Sequence, residues 1–214
     1  MADDLERQDE ALRRAALRLY ADRGLEALLR RYGEPHLTGS VSLGLMTWPD
    51  LDLYIVTDDL ALHRFFRLGA DLADLLHPER MIFRDERPLH PRRDDGRPPG
   101  AQPSGDEDLP EGLYWGLRLP EESGSVWNID VWALSPDEAA ERLAVRDAIA
   151  ARLTPETRLR ILTIKDAVWR DPGYRVAFHS TDIYAAVLEH GVTDAEGLRR
   201  YLQERSLRAR GAAG

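Results

Sequence analysis

The stretch from position 38 to 56 constrains the fold most, because it places two acids on what otherwise reads as a buried strand. Asp50 and Asp52 alternate there with apolar residues, namely Leu51, Leu53 and Ile55. Successive side chains of a strand point to opposite faces, so the two aspartates share one face. Neighbouring carboxylates carry a cost in desolvation and repulsion, which a divalent cation commonly offsets. The pattern therefore predicts a half-buried strand beside a cation site.

A second acidic strand is predicted further along the chain. In the run from Val126 to Trp132, Asp130 shares a face with Asn128 and Trp132. If the two strands are neighbours, three carboxylates converge, and three acids can hold two divalent ions that clamp the oxygens of a phosphoryl transfer. The alternatives are an arginine partner for Asp130 and, for the first pair, a turn acid followed by a strand-edge acid.

Nine residues separate a small-residue turn, Gly39-Ser40, from Asp50. Glycine allows backbone amides to approach a phosphate, and the start of a helix favours an anion. The turn is therefore a candidate phosphate-binding element. The alternative is an ordinary strand-to-helix turn with Ser40 or Ser42 as the cap.

The basic residues are unusual, since Lys165 is the single lysine among 29 basic residues. A codon bias toward arginine explains the rest, and a lysine that survives such a bias is a candidate for a role that arginine does not fill. On a helical wheel Lys165 lies between Ile161, Leu162 and Val168, inside the apolar stripe. An inward lysine calls for an anion, whereas a lysine at the edge of the stripe would snorkel to solvent.

Periodicity and turn residues predict an α+β chain with a boundary near residue 135. The predicted strands span 36–38, 51–57, 80–83, 112–119 and 125–134. The predicted helices span 3–31 (as one or two helices), 40–46, 136–152, 155–170, 181–190 and 194–208. One further helix is predicted to be capped by Asp58 or Asp59 and to reach His77. Residues 85–110 contain six of the 13 prolines and read as a long flexible loop. It is either a tolerated insertion or a substrate-side flap whose arginines are Arg87, Arg92, Arg93 and Arg97.

Composition narrows the class of protein. No apolar run is long enough for a membrane span, and the acidic start from Met1 to Glu6 does not resemble a secretory signal. With no cysteine, we expect a cytoplasmic protein without disulfides or cysteine zinc sites. The net charge of -9 argues against a large nucleic-acid footprint and is compatible with a small cationic substrate.

Taken together, these motifs resemble the nucleotidyltransferase superfamily of DNA polymerase β. Gly-Ser, nine residues, Asp-hydrophobic-Asp and a later strand aspartate are similar to the small aminoglycoside, lincosamide and minimal nucleotidyltransferases. The resemblance covers residues 36–57 and 125–134 and, more loosely, the first 135 residues. It implies a nucleotidyltransferase domain over 1–135, with a mixed sheet flanked by helices, and an all-α domain over 136–214.

The resemblance also implies roles for individual residues. Asp50, Asp52 and Asp130 would be catalytic and bind two Mg²⁺ ions, and Asp130 would also accept the hydroxyl proton. Gly39, Ser40 and Lys165 would hold the triphosphate of an NTP such as ATP. Trp132, on the face of Asp130, would line the substrate pocket.

The expected reaction moves NMP from an NTP to a hydroxyl of a small molecule, for which an aminoglycoside-like antibiotic is the suggested acceptor. Nucleotidylation of a protein or tRNA is the alternative within the same enzyme class. A non-catalytic nucleotide-binding module is the alternative outside it. The acceptor, the nucleobase and the oligomeric state stay open at this stage.

Overall fold

The acidic residues lie on a five-stranded mixed sheet. The computed structural model describes residues 2–87, 109–121, 124–174 and 176–212. Within them the strands are β1 (Glu34–Thr38), β2 (Asp50–Val56), β3 (Arg80–Asp85), β4 (Gly112–Pro120) and β5 (Val126–Leu134). Their order is β1-β2-β5-β4-β3; β2 and β5 are parallel, and the other neighbours are antiparallel.

The helices precede, interrupt and follow the sheet. In the described ranges they are α1 (Ala2–Ala21), α2 (Leu25–Leu29), α3 (Gly39–Leu43), α4 (Leu62–Leu76), α5 (Pro136–Arg152), α6 (Pro155–Val168), α7 (Ser180–His190) and α8 (Ala195–Ala212). The predicted α+β class is confirmed at this level. None of these helices has the length and apolar character needed to cross a membrane.

One face of the sheet is largely apolar and forms the core. Leu51, Leu53 and Ile55 of β2 alternate with half-buried polar residues and are wholly buried, as the sequence pattern predicts. They belong to one apolar cluster with residues of α1, α2 and α4. Each buried leucine or isoleucine stabilises the fold by about 1.5–3 kcal/mol. This burial directs the alternate side chains of β2 and β5 to the opposite, partly exposed face.

The segment between α3 and β2 is held by the first helix. Asp9 of α1 is 1 % exposed, and its Oδ1 accepts a hydrogen bond of 2.7 Å from the backbone N–H of Met46. The side-chain amide of Gln8 donates to the carbonyl of Thr47 at 2.9 Å. Two consecutive residues of α1 therefore fix the path of the chain into β2.

Several predicted boundaries need correction. The cap of α4 is Ala61, not Asp58 or Asp59; Asp59 instead accepts from the backbone N–H of Ala61, which sets the turn before the helix. The helix α3 begins at Gly39, so neither serine caps it. The strand β3 runs through Asp85, so the predicted loop starts later, and its residues 88–108 lie outside the described residues.

Arg87, predicted as part of a flap, follows directly after β3. Its guanidinium group pairs with Asp85 at 2.6 Å and donates to the carbonyl of Leu60 at 2.9 Å. Its side chain is 15 % exposed. Arg87 therefore anchors the end of the strand. The other three arginines of the predicted flap lie outside the described residues.

The last three helices pack on one another. The start of α6 has the predicted cap, in which Thr154, the residue before Pro155, exchanges hydrogen bonds with Thr157. Among the described residues, one compact unit comprises 7–87 and 110–150, and the other comprises 2–6, 109 and the residues from 151 onward. Nearly all of α5 therefore groups with the sheet. The domain boundary expected near residue 135 stays a prediction.

Candidate functional site

Two of the three predicted acids lie side by side. Asp52 of β2 and Asp130 of β5 are register partners on neighbouring parallel strands, so their side chains leave the same face of the sheet. Both are partly buried, whereas the residues that flank them in each strand are completely buried. The sequence predicted the face of each acid, and the structure supplies their pairing.

Asp50 and Trp132 lie on the same face, two residues along the strands on either side of this pair. Asp50 is opposite Asn128, and Trp132 is opposite Tyr54. Trp132 is only 6 % exposed, and its ring packs against Tyr114 with centroids 4.8 Å apart. The indole therefore forms one wall beside the acids.

Gly39 closes the other side of Asp52. The end of β1 pairs Thr38 with Asp52, and the next residue, Gly39, has a φ of +60°. A β-carbon at Gly39 would lie 2.6 Å from Cγ of Asp52 and closer still to Oδ2. The glycine is thus required both by the backbone conformation and by the carboxylate beside it. Ser40 follows in α3 and is 6 % exposed.

A tyrosine that the sequence did not single out contacts Asp130 directly. The hydroxyl of Tyr114, on β4, donates to Oδ1 of Asp130 at 2.7 Å. The residue opposite Asp130 on β4 is Gly116, and a β-carbon there would lie 2.7 Å from Cζ of Tyr114 and closer to its hydroxyl. The hydroxyl therefore occupies the space that a side chain at 116 would fill. No local motif marks this contact, because it depends on how β4 and β5 pair.

The tyrosines around the acids are held in their neutral form. Burial, followed by the negative charge of Asp130 and the hydrogen bond to it, raises the pKa of Tyr114 well above its ordinary value of 10.0, and Asp52 adds to the effect. Burial and the charge of Asp52 also raise the pKa of Tyr54. The positive charge of Arg84 acts in the opposite direction and lowers the pKa of Tyr114. The guanidinium of Arg84 lies 4.4 Å from the centre of the Tyr114 ring. Tyr114 is accordingly a hydrogen-bond donor at neutral pH.

Lys165 is completely buried within the helical unit, inside the apolar stripe as predicted. Its neighbours Ile161, Leu162 and Ile164 are equally buried on α6. Nζ donates to the hydroxyl of Tyr184 on α7 at 3.4 Å, and lies 5.7 Å from the centre of that ring. The snorkelling alternative is therefore wrong, since the amine does not reach solvent from the edge of the stripe.

The acids suit an oxygen-liganded divalent ion. Among the described residues, no three His, Asp or Glu side chains form a group that could hold a metal ion by themselves. Mg²⁺ is commonly bound by one or two carboxylates together with substrate phosphates. Asp52 and Asp130 fit that donor set, because they are register partners on one face of the sheet. Gly39 adjoins Asp52, and Asp50 lies on the same face.

A separate cleft of about 470 Å³ lies between the end of α7 and α8. Its charged lining is mainly basic, with Arg200, Arg205 and Arg208. Each of these arginines pairs with an acid, and those acids are Glu196, Asp182 and Glu204. None of the predicted site residues lines this cleft. Its paired arginines do not form the unneutralised basic patch that a nucleic-acid partner favours.

No protein-family model matches the chain, and no curated protein matches it significantly.

Proposed function

We propose that this protein is a metal-dependent nucleotidyltransferase that moves NMP from an NTP to a hydroxyl of a small-molecule acceptor and releases pyrophosphate. The observation that carries the proposal is the in-register pair of Asp52 and Asp130 on neighbouring parallel strands. Gly39 and Ser40 adjoin this pair through the antiparallel pairing of β1 with β2. An acidic pair beside a Gly-Ser turn is the arrangement that the resemblance to this superfamily leads us to expect.

In the proposed reaction an acceptor hydroxyl oxygen attacks the α-phosphorus. The new O–P bond forms as the bond from the α-phosphorus to the bridging oxygen breaks, and pyrophosphate departs. Asp130 accepts the proton of the attacking hydroxyl. Asp52 and Asp50 hold negative charge on the same face of the sheet, where a divalent cation and the triphosphate would be drawn together.

The same three carboxylates are proposed to bind the metal. Asp50, Asp52 and Asp130 would hold Mg²⁺, with two ions expected, and the bound metal would neutralise charge on the attacking and leaving oxygens. Gly39 and Ser40 are proposed to contact the terminal phosphates. Lys165 is proposed to supply a positive charge to the triphosphate. Trp132 would border the acceptor pocket.

A small acceptor is favoured over a nucleic acid. The net charge of the chain is -9, and the arginines of the α7–α8 cleft are each paired with an acid. A basic surface that binds phosphates would instead present unneutralised arginines. The lack of cysteine is in keeping with a cytoplasmic setting.

The test is a transfer assay. Purified protein and Mg²⁺ are incubated with each of the four α-³²P-labelled NTPs and with aminoglycosides, lincosamides or cell extract. Transfer of label to an acceptor together with pyrophosphate release supports the proposal. Absence of transfer with every NTP, combined with no binding of ATP or GTP in calorimetry, contradicts it.

Variants connect the activity to the site. Asp52→Asn and Asp130→Asn should abolish transfer, because each removes a charge from the register pair. Asp74→Asn is the matched control, since Asp74 is an exposed acid on α4, which packs against the opposite, apolar face. Nucleotide binding with no transfer to any acceptor would favour the non-catalytic module, and label in protein or tRNA would identify a macromolecular acceptor.

A further inference from the structure

We infer that Tyr114 is a positioning residue that orients the Asp130 carboxylate for metal binding and proton acceptance. The inference rests on the proposed function and extends it to a residue outside the acidic motif. Its starting point is the 2.7 Å hydrogen bond that the Tyr114 hydroxyl donates to Oδ1 of Asp130.

The hydrogen bond crosses the sheet diagonally. On β4 and β5, Tyr114 is opposite Trp132, and Gly116 is opposite Asp130. A long aromatic side chain can reach a diagonal neighbour across antiparallel strands. Here it reaches over Gly116, whose missing side chain leaves room for the hydroxyl. The two residues therefore act together, one supplying the donor and the other the space.

The ring of Tyr114 is fixed on both sides. It packs on Trp132 with centroids 4.8 Å apart, and the guanidinium of Arg84, on the partner strand β3, lies 4.4 Å from its centre. A fixed ring confines the hydroxyl to one position. Because that hydroxyl binds Oδ1, it also restricts rotation of the Asp130 carboxylate.

A hydrogen bond that orients the Asp130 carboxylate should strengthen metal binding, because Asp130 is a proposed metal ligand. Partners that hydrogen-bond a ligating carboxylate fix its orientation, and removing one commonly costs about 10–100-fold in metal affinity or activity. Tyr114→Phe should keep the ring in place and remove only the hydrogen bond to Oδ1 of Asp130.

The chain offers a matched control in Tyr32. The hydroxyl of Tyr32 donates to Oδ2 of Asp71 on α4, also at 2.7 Å. Tyr32→Phe therefore removes a tyrosine–aspartate bond of the same length that does not involve Asp130. A purely structural role for the Tyr114 bond would give the two variants similar behaviour in every assay.

The experiment measures Mn²⁺ binding by calorimetry, together with kcat and KM of transfer in Mg²⁺. We expect Tyr114→Phe to weaken Mn²⁺ binding and to lower kcat by about 10–100-fold, with KM for the acceptor unchanged. Gly116→Ala should reproduce this by displacing the hydroxyl. In the Asp130→Asn background, Tyr114→Phe should have no further effect on Mn²⁺ binding, because the two residues act as one unit.

The outcomes separate the two levels of the proposal. If wild-type protein binds Mn²⁺ and transfers label but Tyr114→Phe matches Tyr32→Phe in both assays, the positioning role is overturned and the proposed function stands. If wild-type protein neither binds Mn²⁺ nor transfers label, both are overturned. A further loss of Mn²⁺ binding on adding Tyr114→Phe to Asp130→Asn also overturns the positioning role.

Discussion

Gly39 and the carboxylate of Asp52 occupy adjoining space, so closely that a β-carbon on the glycine would lie 2.6 Å from Cγ of the aspartate. The contact joins the start of α3 to the centre of β2. It explains why a glycine is needed at this position independently of any bound nucleotide. It also provides a way to displace the acid without changing its charge.

Gly39→Ala should disrupt the site by moving Asp52. The variant adds backbone strain of about 1–2 kcal/mol at a positive φ, and it also forces the carboxylate aside. We expect Mg²⁺-dependent nucleotide binding and transfer to fall by about 10–100-fold. Calorimetry with MgATP and the labelled transfer assay measure the two effects.

Gly191→Ala is the control for this strain. Gly191 has a φ of +66°, and a β-carbon there would have no heavy atom within 4 Å. Gly191→Ala should lose free energy of unfolding through backbone strain alone and Gly39→Ala at least as much, and only Gly39→Ala should lose nucleotide binding. Equal activity in both would show that Asp52 tolerates a β-carbon at position 39.

Lys165→Met should leave the helical unit folded and remove affinity for the triphosphate. The substitution removes the buried amine and its hydrogen bond to the hydroxyl of Tyr184 while keeping a side chain of similar length. One charged hydrogen bond to a phosphate is worth about 1.5–3 kcal/mol, which corresponds to roughly 10–100-fold in the dissociation constant for ATP. Calorimetry with ATP checks this.

Arg160→Met serves as the comparison for Lys165→Met. Arg160 lies on the same helix, is partly exposed and pairs with Glu156. Its loss removes one positive charge from α6 without changing the buried amine. Nucleotide affinity that is the same in Lys165→Met as in wild type would rule out a role for this lysine in binding the triphosphate.

Asp9→Ala should destabilise the protein and loosen the segment that leads into β2. It leaves the buried backbone N–H of Met46 without its acceptor, which is expected to cost about 1.5–3 kcal/mol. Asp9→Asn retains an oxygen acceptor and should lose less. Urea unfolding measures the difference, and KM for the NTP should rise in Asp9→Ala. An alanine variant as stable as the asparagine variant would argue against this role.

Alkaline pH should destabilise wild-type protein more than Tyr114→Phe. The pKa of Tyr114 is raised above 10.0 in the folded protein, chiefly by burial. Above pH 10 the unfolded tyrosine releases its proton while the folded one retains it, so the free energy of unfolding falls as pH rises. The variant lacks this contribution, and its other tyrosines are those of wild type.

The measurement for this pH effect is urea unfolding between pH 8 and 11 with EDTA present. The slope of stability against pH above 10 should be shallower in Tyr114→Phe than in wild type. Parallel slopes would mean that Tyr114 titrates alike in the folded and unfolded states.

The sequence predicted which face each acid occupies but not the way the acids meet. The alternation around Asp52 and around Asp130 is local, and burial of the intervening apolar residues makes it reliable. The register between the two strands depends on contacts across a long sequence separation, so no local pattern encodes it.

Other site residues were missed for the same reason. Tyr114 acts through a diagonal contact made possible by Gly116, and neither residue has a distinctive neighbourhood in the sequence. Asp9 lies in a helix with many charged residues, where an acid normally indicates a solvated face. Its partner, the backbone of Met46, carries no side-chain signal.

The burial of Lys165 gives the chain a built-in chemical reporter. As the only side-chain amine, wholly enclosed between α6 and α7, it is shielded from amine-reactive reagents while those helices stay packed. Acylation at this position would therefore measure how often the packing around Lys165 opens, without an introduced label.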